Sequence, residues 1–247
     1  MIEVKNLRKS FGESVVLNGV SFSAEKGKIV SLVGANGCGK TTILRIIGGA
    51  INDFGGDIFV DGQRSDRSAL KIGYIPQGLG LMPWLTAYEN VAFPLNLSSA
   101  GPLTNEQKKL TVENSLKAVD MWDQKDRFIA KLSGGERQKL AIARELTVIP
   151  DILLMDEPFA SIDAINRNRF RRDLIRVWEK TKPTIIFVTH DHQEAVWLSS
   201  RVFVLSPRPA TALAAVEVPY EYPRAPIEED TRLLALASKI RSLLETE

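Results

Sequence analysis

The spacing of hydrophobic residues divides the chain into β-forming and helix-forming stretches that alternate along most of its length. Near the start, apolar and β-branched runs are separated by the turn-forming pairs Phe11-Gly12 and Lys26-Gly27. The predicted strands of this first part are Ile2–Leu7, Val15–Phe22, Lys28–Val33, Asp57–Val60 and Lys71–Ile75. Among them, a helical pattern covers Thr41–Ile47 and stops at Gly48-Gly49.

The middle of the chain, from Thr86 to Val148, is predicted to be mostly helical. A hydroxyl residue is followed three positions later by Glu or Gln at three places, a pattern typical of capping boxes at helix starts. The three pairs are Thr86 with Glu89, Thr104 with Gln107, and Ser133 with Glu136. We interpret residues 84–148 as a helical insertion in a chain that is otherwise rich in strands.

Strands and helices alternate again after this block. Ile152–Met155 is a continuous apolar run, which is typical of a strand buried on both faces of a parallel sheet. The later predicted elements are the helices Asn166–Lys180, Asp191–Leu198 and Thr231–Leu244 and the strands Thr184–Thr189, Arg201–Leu205 and Ala212–Val218. The alternation predicts an α/β core with a mainly parallel sheet. We expect a single domain over residues 1–220, followed by a Pro-rich segment and helix over residues 221–247.

Composition narrows the class of protein. Apolar residues make up 44% and charged residues 25% of the 247 residues, as in globular proteins. A net charge of +2 argues against a protein that coats nucleic acid. A single cysteine, Cys38, excludes an intrachain disulfide. The N-terminus lacks a signal pattern, and no apolar run approaches the ~18 residues of a membrane span, so we expect a cytoplasmic protein.

A glycine-rich loop between a predicted strand and a predicted helix has the form G-x-x-x-x-G-K-[ST]. Its residues are Gly34, Ala35, Asn36, Gly37, Cys38, Gly39, Lys40 and Thr41. The glycines allow backbone N–H groups to turn toward phosphates, and the helix start adds positive potential. We expect Lys40 to reach the β- and γ-phosphates of a nucleotide and the Thr41 hydroxyl to bind Mg²⁺.

Two adjacent carboxylates follow the buried strand Ile152–Met155. We expect Asp156 to hold the Mg²⁺ shell and Glu157, on the other face of the strand end, to polarise an attacking water. A solvated pair at a strand end is the alternative for such a dipeptide taken alone, and the phosphate loop in the same chain argues against it.

The segment from Leu132 to Gln138 places glycines at the first two positions of a helix, where helix propensity is poor. A capping box does not need them, so the pattern indicates close approach of a second phosphate group to the Ser133 turn. A two-fold dimer would place each such turn against the partner's phosphate loop. A capping box and nothing more is the alternative.

With the string LSGGERQ, the chain resembles the ATP-binding subunits of ABC transporters over residues 1–220. The resemblance implies a P-loop NTPase core with an N-terminal antiparallel β subdomain and an inserted helical subdomain. Glu157, His190 and Gln77 match catalytic positions, and Gln77 also joins Thr41 and Asp156 around Mg²⁺. The implied ATP-binding set adds Phe11, as the ring that stacks on adenine, and Thr42 to the phosphate loop. The implied signature residues, which act on the partner's ATP, are Leu132, Ser133, Gly134, Gly135, Glu136 and Gln138.

Some of these positions have alternative interpretations. Ser161 and Asp163 match the D-loop, with Ile162 as a conservative departure. Gln77 is alternatively a polar strand end, His190 a residue of the next helix cap or turn, and Phe11 a core residue. Cys38 stands where the family usually has Ser, and the simplest interpretation is a small side chain without a chemical role.

The strings Leu81–Thr86 and Val204–Pro209 resemble a narrower branch, the ATPases for nitrate, sulfonate and taurine import. The branch implies an ATPase that works as a homodimer on permease subunits, with a solute-binding protein as an indirect partner and no nucleic acid. It would lie peripherally on the cytoplasmic face of the inner membrane. The apolar loop Leu79–Leu85 is predicted to dock on the permease or to pack into the helical subdomain. Alternative functions are a non-transport ABC ATPase acting on DNA or ribosomes and a nucleotide switch without turnover.

Overall fold

The structure is a computed structural model, and it describes residues 1–64, 70–97, 103–160 and 164–245. Its strands are β1 (Ile2–Phe11), β2 (Ser14–Ala24), β3 (Ile29–Val33), β4 (Gly55–Val60), β5 (Gln63–Arg64), β6 (Ile72–Ile75), β7 (Ile152–Asp156), β8 (Thr184–Thr189), β9 (Arg201–Leu205) and β10 (Ala212–Glu217). Its α-helices are α1 (Lys40–Ile47), α2 (Ala87–Leu97), α3 (Asn105–Ala118), α4 (Gly134–Leu146), α5 (Ala164–Thr181), α6 (His192–Leu198) and α7 (Thr231–Glu245). The predicted α/β class, with an antiparallel N-terminal sheet and a mainly parallel second sheet, is confirmed.

The chain divides into two compact units. The first contains residues 1–70, 154–157 and 182–247, and the second contains residues 71–153 and 158–181. The predicted boundaries of the helical subdomain at 84–148 and of the C-terminal segment at 221–247 stay predictions. None of the helices in the described ranges is long and apolar enough to cross a membrane.

The N-terminal sheet of the first unit has the strand order β2-β1-β4-β5. β1 is antiparallel to both of its neighbours, and its apolar residues Ile2, Val4 and Leu7 are buried. The polar residues between them are mostly exposed, because a sheet with one covered face needs apolar side chains on that face alone. This sheet carries Phe11 at the end of β1.

The second sheet of the first unit has the order β10-β9-β3-β8, followed by β7. β3 is parallel to both β8 and β9, and β10 is antiparallel to β9. Every residue of β3 and β8 is buried, which explains why these strands are continuous apolar runs. The phosphate loop follows β3 and His190 follows β8, so the parallel pairing places both at the carboxyl edge of the sheet, where ligands bind in such folds.

The second unit contains β6 and the helices α2, α3, α4 and α5. The helices α2, α3 and α4 pack on one another around Val91, Val112, Leu116 and Leu140, all fully buried. All three predicted capping boxes, at Thr86, Thr104 and Ser133, are confirmed. In each, the hydroxyl accepts from the backbone N–H three residues later, and the side chain of that later residue accepts from the backbone N–H of the hydroxyl residue.

The C-terminal helix α7 packs on α6 through Leu233, Ala237 and Ile240, which are buried. The Pro-rich segment before α7 closes the carboxyl end of α6. There the Arg224 guanidinium donates to the carbonyls of Val196, at 2.7 Å, and of Trp197 and Ser199, at 2.9 Å. The segment is therefore part of the first unit's core and not a free tail.

Candidate functional site

The loop between β3 and α1 has a backbone that requires glycine. Gly37 and Gly39 have φ values of +80° and +120°, a region in which a residue with a Cβ is strained. Ala35 and Asn36 are exposed, so this part of the loop is open to solvent. Thr42 lies half-buried in the first turn of α1. An open loop at a helix start is suited to an anion, because the first N–H groups of a helix have no partner within it.

The Lys40 ammonium is held inside the phosphate loop. It donates to the carbonyl oxygens of Gly34, at 2.7 Å, and Ala35, at 3.0 Å, and it lies 3.8 Å from a carboxylate oxygen of Glu157. The residue is only 5% exposed, and a lysine this buried requires polar partners for its charge. The loop thereby aims a positive charge at the place where phosphates would lie.

Two oxygen groups suited to Mg²⁺ meet beside the loop. The Thr41 hydroxyl donates to a carboxylate oxygen of Asp156 at 3.2 Å, and Asp156 is 4% exposed. Hydroxyl and carboxylate oxygens are the ligands that Mg²⁺ takes, usually one or two from the protein together with waters and phosphates. The third predicted ligand, Gln77, lies in an exposed turn of the second unit, after β6.

Glu157 is the residue around which the charged groups gather. Its backbone has a φ of +46°, which is uncommon for a residue other than glycine, and its N–H donates to Val188 at 3.0 Å. One carboxylate oxygen faces the Lys40 ammonium, and the other lies 3.3 Å from Nδ1 of His190. The uncommon backbone conformation turns the carboxylate toward both residues, as strained residues at active sites often do.

A network at the start of α6 holds the backbone around His190. The Asp191 carboxylate caps the helix by accepting from the N–H groups of Gln193, at 2.8 Å, and Glu194, at 3.1 Å. The Thr189 hydroxyl accepts from the Asp191 N–H and donates to the Glu194 carboxylate. The cap is thus made by Asp191, not by His190, whose side chain is about half exposed and faces Glu157.

Cys38 turns its side chain away from solvent. The residue is 2% exposed. Burial raises the pKa of its thiol by more than the nearby Lys40 ammonium lowers it, so the pKa lies above its ordinary value. Its N–H donates to the Ala35 carbonyl at 3.3 Å, inside the loop. A buried, protonated thiol agrees with the interpretation of Cys38 as a small side chain.

Phe11 lies at the end of β1 and is 51% exposed. It is therefore not the core residue of the alternative interpretation. The Lys9 ammonium lies 4.9 Å from the centre of its ring and also pairs with the Asp53 carboxylate at 3.0 Å. Sequence reasoning missed Lys9 and Asp53, because nothing in the local pattern distinguishes them from surface charges.

The Ser133 turn belongs to the second unit and begins α4. Ser133 and Glu136 form the capping box, and the backbone N–H of Ser133 lowers the pKa of the Glu136 carboxyl. A Cβ built on Gly135 would meet no atom within 4 Å among the described residues, so packing within the chain does not demand glycine there. Leu132 and Gln138 are buried, which leaves the exposed surface of the turn to Ser133, Gly134 and the residues after them.

Two residues predicted for the site have no described position, and two residues that were not predicted for it border the phosphate loop. Ser161 and Asp163 lie outside the described residues. Leu243 and Leu244 of α7 border a cavity of about 110 Å³ beside the phosphate loop. Its remaining lining residues are Gly34, Ala35, His190, Leu205, Pro207 and Leu213. The apolar pattern of α7 predicts a buried face, but not that the helix ends beside the phosphate loop.

Comparison with known proteins identifies relatives along most of the chain. The family model described as ABC transporter matches residues 17–160. The aliphatic sulfonates import ATP-binding protein SsuB of Bacillus cereus is 39% identical over 221 residues, which cover 90% of this chain and 86% of that protein. The nitrate import ATP-binding protein NrtD of Synechococcus elongatus is 31% identical over 236 residues, which cover 94% of this chain and 86% of that protein.

A solved structure has the same fold. It is the dimeric structure of a post-hydrolysis state of the ATP-binding cassette MJ0796 bound to ADP and Pi. Its TM-score with this chain is 0.75 at 28% identity, and the match covers 90% of this chain and all of that one. The family model spans more than half of this chain, and the alignments with SsuB and NrtD each cover at least 90% of it. This chain therefore belongs to the ABC transporter family.

Proposed function

We propose that this chain is the ATP-hydrolysing subunit of an importer for a small solute such as an aliphatic sulfonate, nitrate or taurine. The observation that carries the proposal is the position of Glu157, between the phosphate-loop lysine Lys40 and His190. Import is supported by the names of the two relatives, and hydrolysis by the ADP and Pi in the solved cassette.

Phosphate binding falls to the loop and Lys40. The exposed backbone from Ala35 to Gly37 offers N–H groups to the phosphate oxygens, and the start of α1 adds its positive potential. The Lys40 ammonium, already held by two loop carbonyls, needs little reorganisation to face the phosphates. Such prior positioning is the main way in which proteins accelerate phosphoryl transfer.

Thr41 and Asp156 would hold Mg²⁺, with Gln77 as the further ligand that the family resemblance implies. The two oxygens that meet at 3.2 Å fit this role, because both are hard donors and one carries negative charge. When bound, the ion supplies neutralisation of the charge on the β- and γ-phosphates.

Glu157 takes the role of the group that orients and polarises the attacking water. Its carboxylate is mostly buried and lies between the Lys40 ammonium and the His190 ring, which hold it in one orientation. We assign the contact with the γ-phosphate to His190, whose side chain is about half exposed beside Glu157. Phe11 presents an exposed ring for stacking on adenine.

Catalysis requires a second copy of the chain. The Ser133 turn offers backbone N–H groups at a helix start, and Gly135 opens onto free space among the described residues. We assign this turn, Gly134 and Glu136 to the nucleotide held by the partner's phosphate loop. The D-loop residues Ser161 and Asp163 and the buried signature residues Leu132 and Gln138 keep the roles that the family resemblance implies.

Permease subunits are the second partner, and the loop Leu79–Leu85 is the surface assigned to them. Trp84 is 71% exposed, which disfavours packing of its ring into the second unit, whereas Leu81 and Leu85 are half-buried. The buried Asn90 amide holds the loop by accepting from the Met82 N–H at 2.8 Å. An exposed tryptophan on a braced loop is typical of an interface. The subunit would lie on the cytoplasmic face of the inner membrane, with any solute-binding protein on the far side of the permease.

Two other functions are less well supported. ABC ATPases that act on DNA insert a long coiled coil between the positions that correspond to Gln77 and to the signature. In this chain the longest helix described between those positions is α3, with 14 residues. ATPases that act on ribosomes usually carry two cassettes. A nucleotide switch without turnover would not need the contact between Glu157 and His190.

The proposal is tested in cells and with the purified chain. Disruption of the gene should abolish growth on one of the named solutes as the only sulfur or nitrogen source, and the intact gene should restore it. The purified chain should release phosphate from ATP with Mg²⁺. Unchanged growth of the disrupted strain on all the solutes would contradict the transport role. Absence of phosphate release by the purified chain would contradict the proposed ATPase activity.

A further inference from the structure

Lys9 is a buried lysine whose charge the phosphate chemistry does not use. The residue is 8% exposed, and lysines this buried are rare unless their ammonium has partners. The Lys9 ammonium has two partners among the described residues of the first unit. It lies 4.9 Å from the centre of the Phe11 ring and 3.0 Å from a carboxylate oxygen of Asp53. Both distances lie within the ranges of a cation–π contact and an ion pair.

The two contacts differ in how much solvent reaches them. The Asp53 side chain is 99% exposed, so its pairing with Lys9 is screened by water and weak. Phe11 is 51% exposed, so less solvent reaches its contact with the ammonium, and a cation–π contact strengthens as solvent is removed. The ring is therefore the less exposed of the two partners of Lys9, and Asp53 holds the ammonium from the solvent side.

The geometry leaves room for a second flat group on Phe11. The ring is 51% exposed even though Lys9 covers one of its faces, so the surface that remains open is available for stacking. Asp53 follows the end of α1, where Ala50 and Ile51 are bonded to the carbonyl of Arg45. Lys9 therefore links the strand that carries Phe11 to the segment after the helix that begins in the phosphate loop.

We propose that Lys9 is a positioning residue for the nucleotide base: its ammonium holds the Phe11 ring from one face and so presents the opposite face to adenine. Asp53 supports the ammonium and contributes less. The inference rests on the proposed role of Phe11 in stacking, and it deepens that role, because it names what keeps the ring in place. Lys9 itself does not touch the nucleotide.

The test compares two ligands that differ in the base. Calorimetric titration of the purified chain would give the dissociation constants for ATP and for inorganic tripolyphosphate, which engages the phosphate loop alone. Lys9→Met should raise the dissociation constant for ATP about two- to fivefold, the range of a partly exposed cation–π contact, and leave that for tripolyphosphate unchanged. Lys9→Arg should keep ATP affinity, since guanidinium also stacks on rings, and Asp53→Asn should weaken ATP binding less than Lys9→Met.

A double-mutant cycle separates positioning from a merely structural role. If Lys9 acts through the ring, Lys9→Met should have no further effect on ATP affinity once Phe11→Ala has removed the ring. Additive losses would overturn the inference, and so would equal weakening of ATP and tripolyphosphate binding by Lys9→Met. The Lys9→Arg comparison keeps the test decisive if Lys9→Met unfolds, because a loss of ATP affinity in a folded Lys9→Arg chain would also count against it.

The Phe11→Ala variant distinguishes the two levels of the argument. Weaker ATP binding by Phe11→Ala together with unchanged binding by Lys9→Met would overturn the role of Lys9 and leave the stacking role intact. Unchanged ATP binding by both variants would overturn stacking and the role of Lys9 together. Neither result bears on hydrolysis, which is tested separately through phosphate release.

Discussion

At the scale of single residues, the site depends on the unusual backbone of Glu157. The positive φ at the end of a buried strand sends the carboxylate toward Lys40 and His190, while the adjacent Asp156 bonds the Thr41 hydroxyl. Two neighbouring carboxylates thus have different surroundings, which agrees with the different tasks proposed for them. Such a division of roles between paired carboxylates follows from environment and not from residue type.

The substitution Glu157→Gln tests the assigned task with little change in shape. We expect ATP binding to persist and phosphate release to fall by ~10²–10⁴-fold, the usual contribution of a group that accepts or orients a proton. Glu179→Gln, an exposed change of the same kind on α5, serves as the control and should release phosphate normally. Near-normal phosphate release by Glu157→Gln with Mg²⁺ present would contradict the role of Glu157.

The thiol of Cys38 makes a prediction about pH. Burial raises its pKa, so the reactive thiolate is scarce at neutral pH and becomes more abundant as the pH rises toward the raised pKa. We expect slow labelling by a thiol reagent at pH 7, faster labelling at higher pH, and rapid labelling after unfolding. Because Cys38 is the only cysteine, total label measured by mass reports on it alone, and Cys38→Ser is the blank. Rapid labelling of the folded chain at neutral pH would contradict the burial of the thiol.

At the scale of elements, the Pro-rich segment stabilises the helix that follows His190. The last carbonyls of a helix have no partner within it, and here the Arg224 guanidinium supplies donors to several of them. The Tyr222 hydroxyl donates to the Leu198 carbonyl, and burial raises the pKa of Tyr222 to about 12. The Trp197 indole donates to the carbonyl of Ala225 at 2.8 Å. The segment and α6 therefore form one packed element.

Substitution of Arg224 by methionine should lower the free energy of unfolding by about 2–4 kcal/mol, because it leaves buried carbonyls without donors. The measurement is the urea dependence of unfolding followed by circular dichroism. Arg232→Met is the matched control: Arg232 is exposed, and among the described residues it contacts the Asp230 carboxylate and the Tyr220 ring at the surface, so its loss should have little effect. Equal urea midpoints for Arg224→Met and the unchanged chain would show that the segment does not stabilise α6.

At the scale of the whole molecule, the proposed function requires two chains, with the Ser133 turn of one facing the phosphate loop of the other. A mixed dimer of a Ser133→Arg chain and a Lys40→Ala chain tests this arrangement. One composite site would carry both lesions and the other none, so we expect trapping of nucleotide in one site per dimer. The added arginine places bulk and charge in the partner's site and leaves its own phosphate loop intact.

The control places both lesions in one chain and pairs it with an unchanged chain. If the sites are shared between chains, each site then carries one lesion and nucleotide should not be trapped. Trapping in the control combined with none in the mixed dimer would show that each turn serves its own loop. Trapping is the appropriate readout, because coupled sites need each other for steady-state turnover.

The order of the main elements, the capping boxes, the phosphate loop and the acidic pair at the end of β7 were all predictable from the sequence alone. Each of these depends on residues that are contiguous or one helical turn apart, so local spacing is enough to reveal them. The Cys38 side chain was also predicted to have no chemical role, and its burial agrees. The same local reasoning left Phe11, Gln77 and His190 with two interpretations, because a polar or aromatic residue beside a turn has the same pattern whether it is functional or structural.

Contacts between side chains that are far apart in the sequence follow from the three-dimensional fold. The contact of Glu157 with His190, the pairing of Lys9 with Asp53 and the closure of α6 by Arg224 join segments from different parts of the chain. Such contacts depend on sheet order and on a positive φ at a non-glycine residue, and neither is encoded in the alternation of apolar and polar positions. The physical reason is that burial selects a partner for each charge only after the strands have been placed side by side.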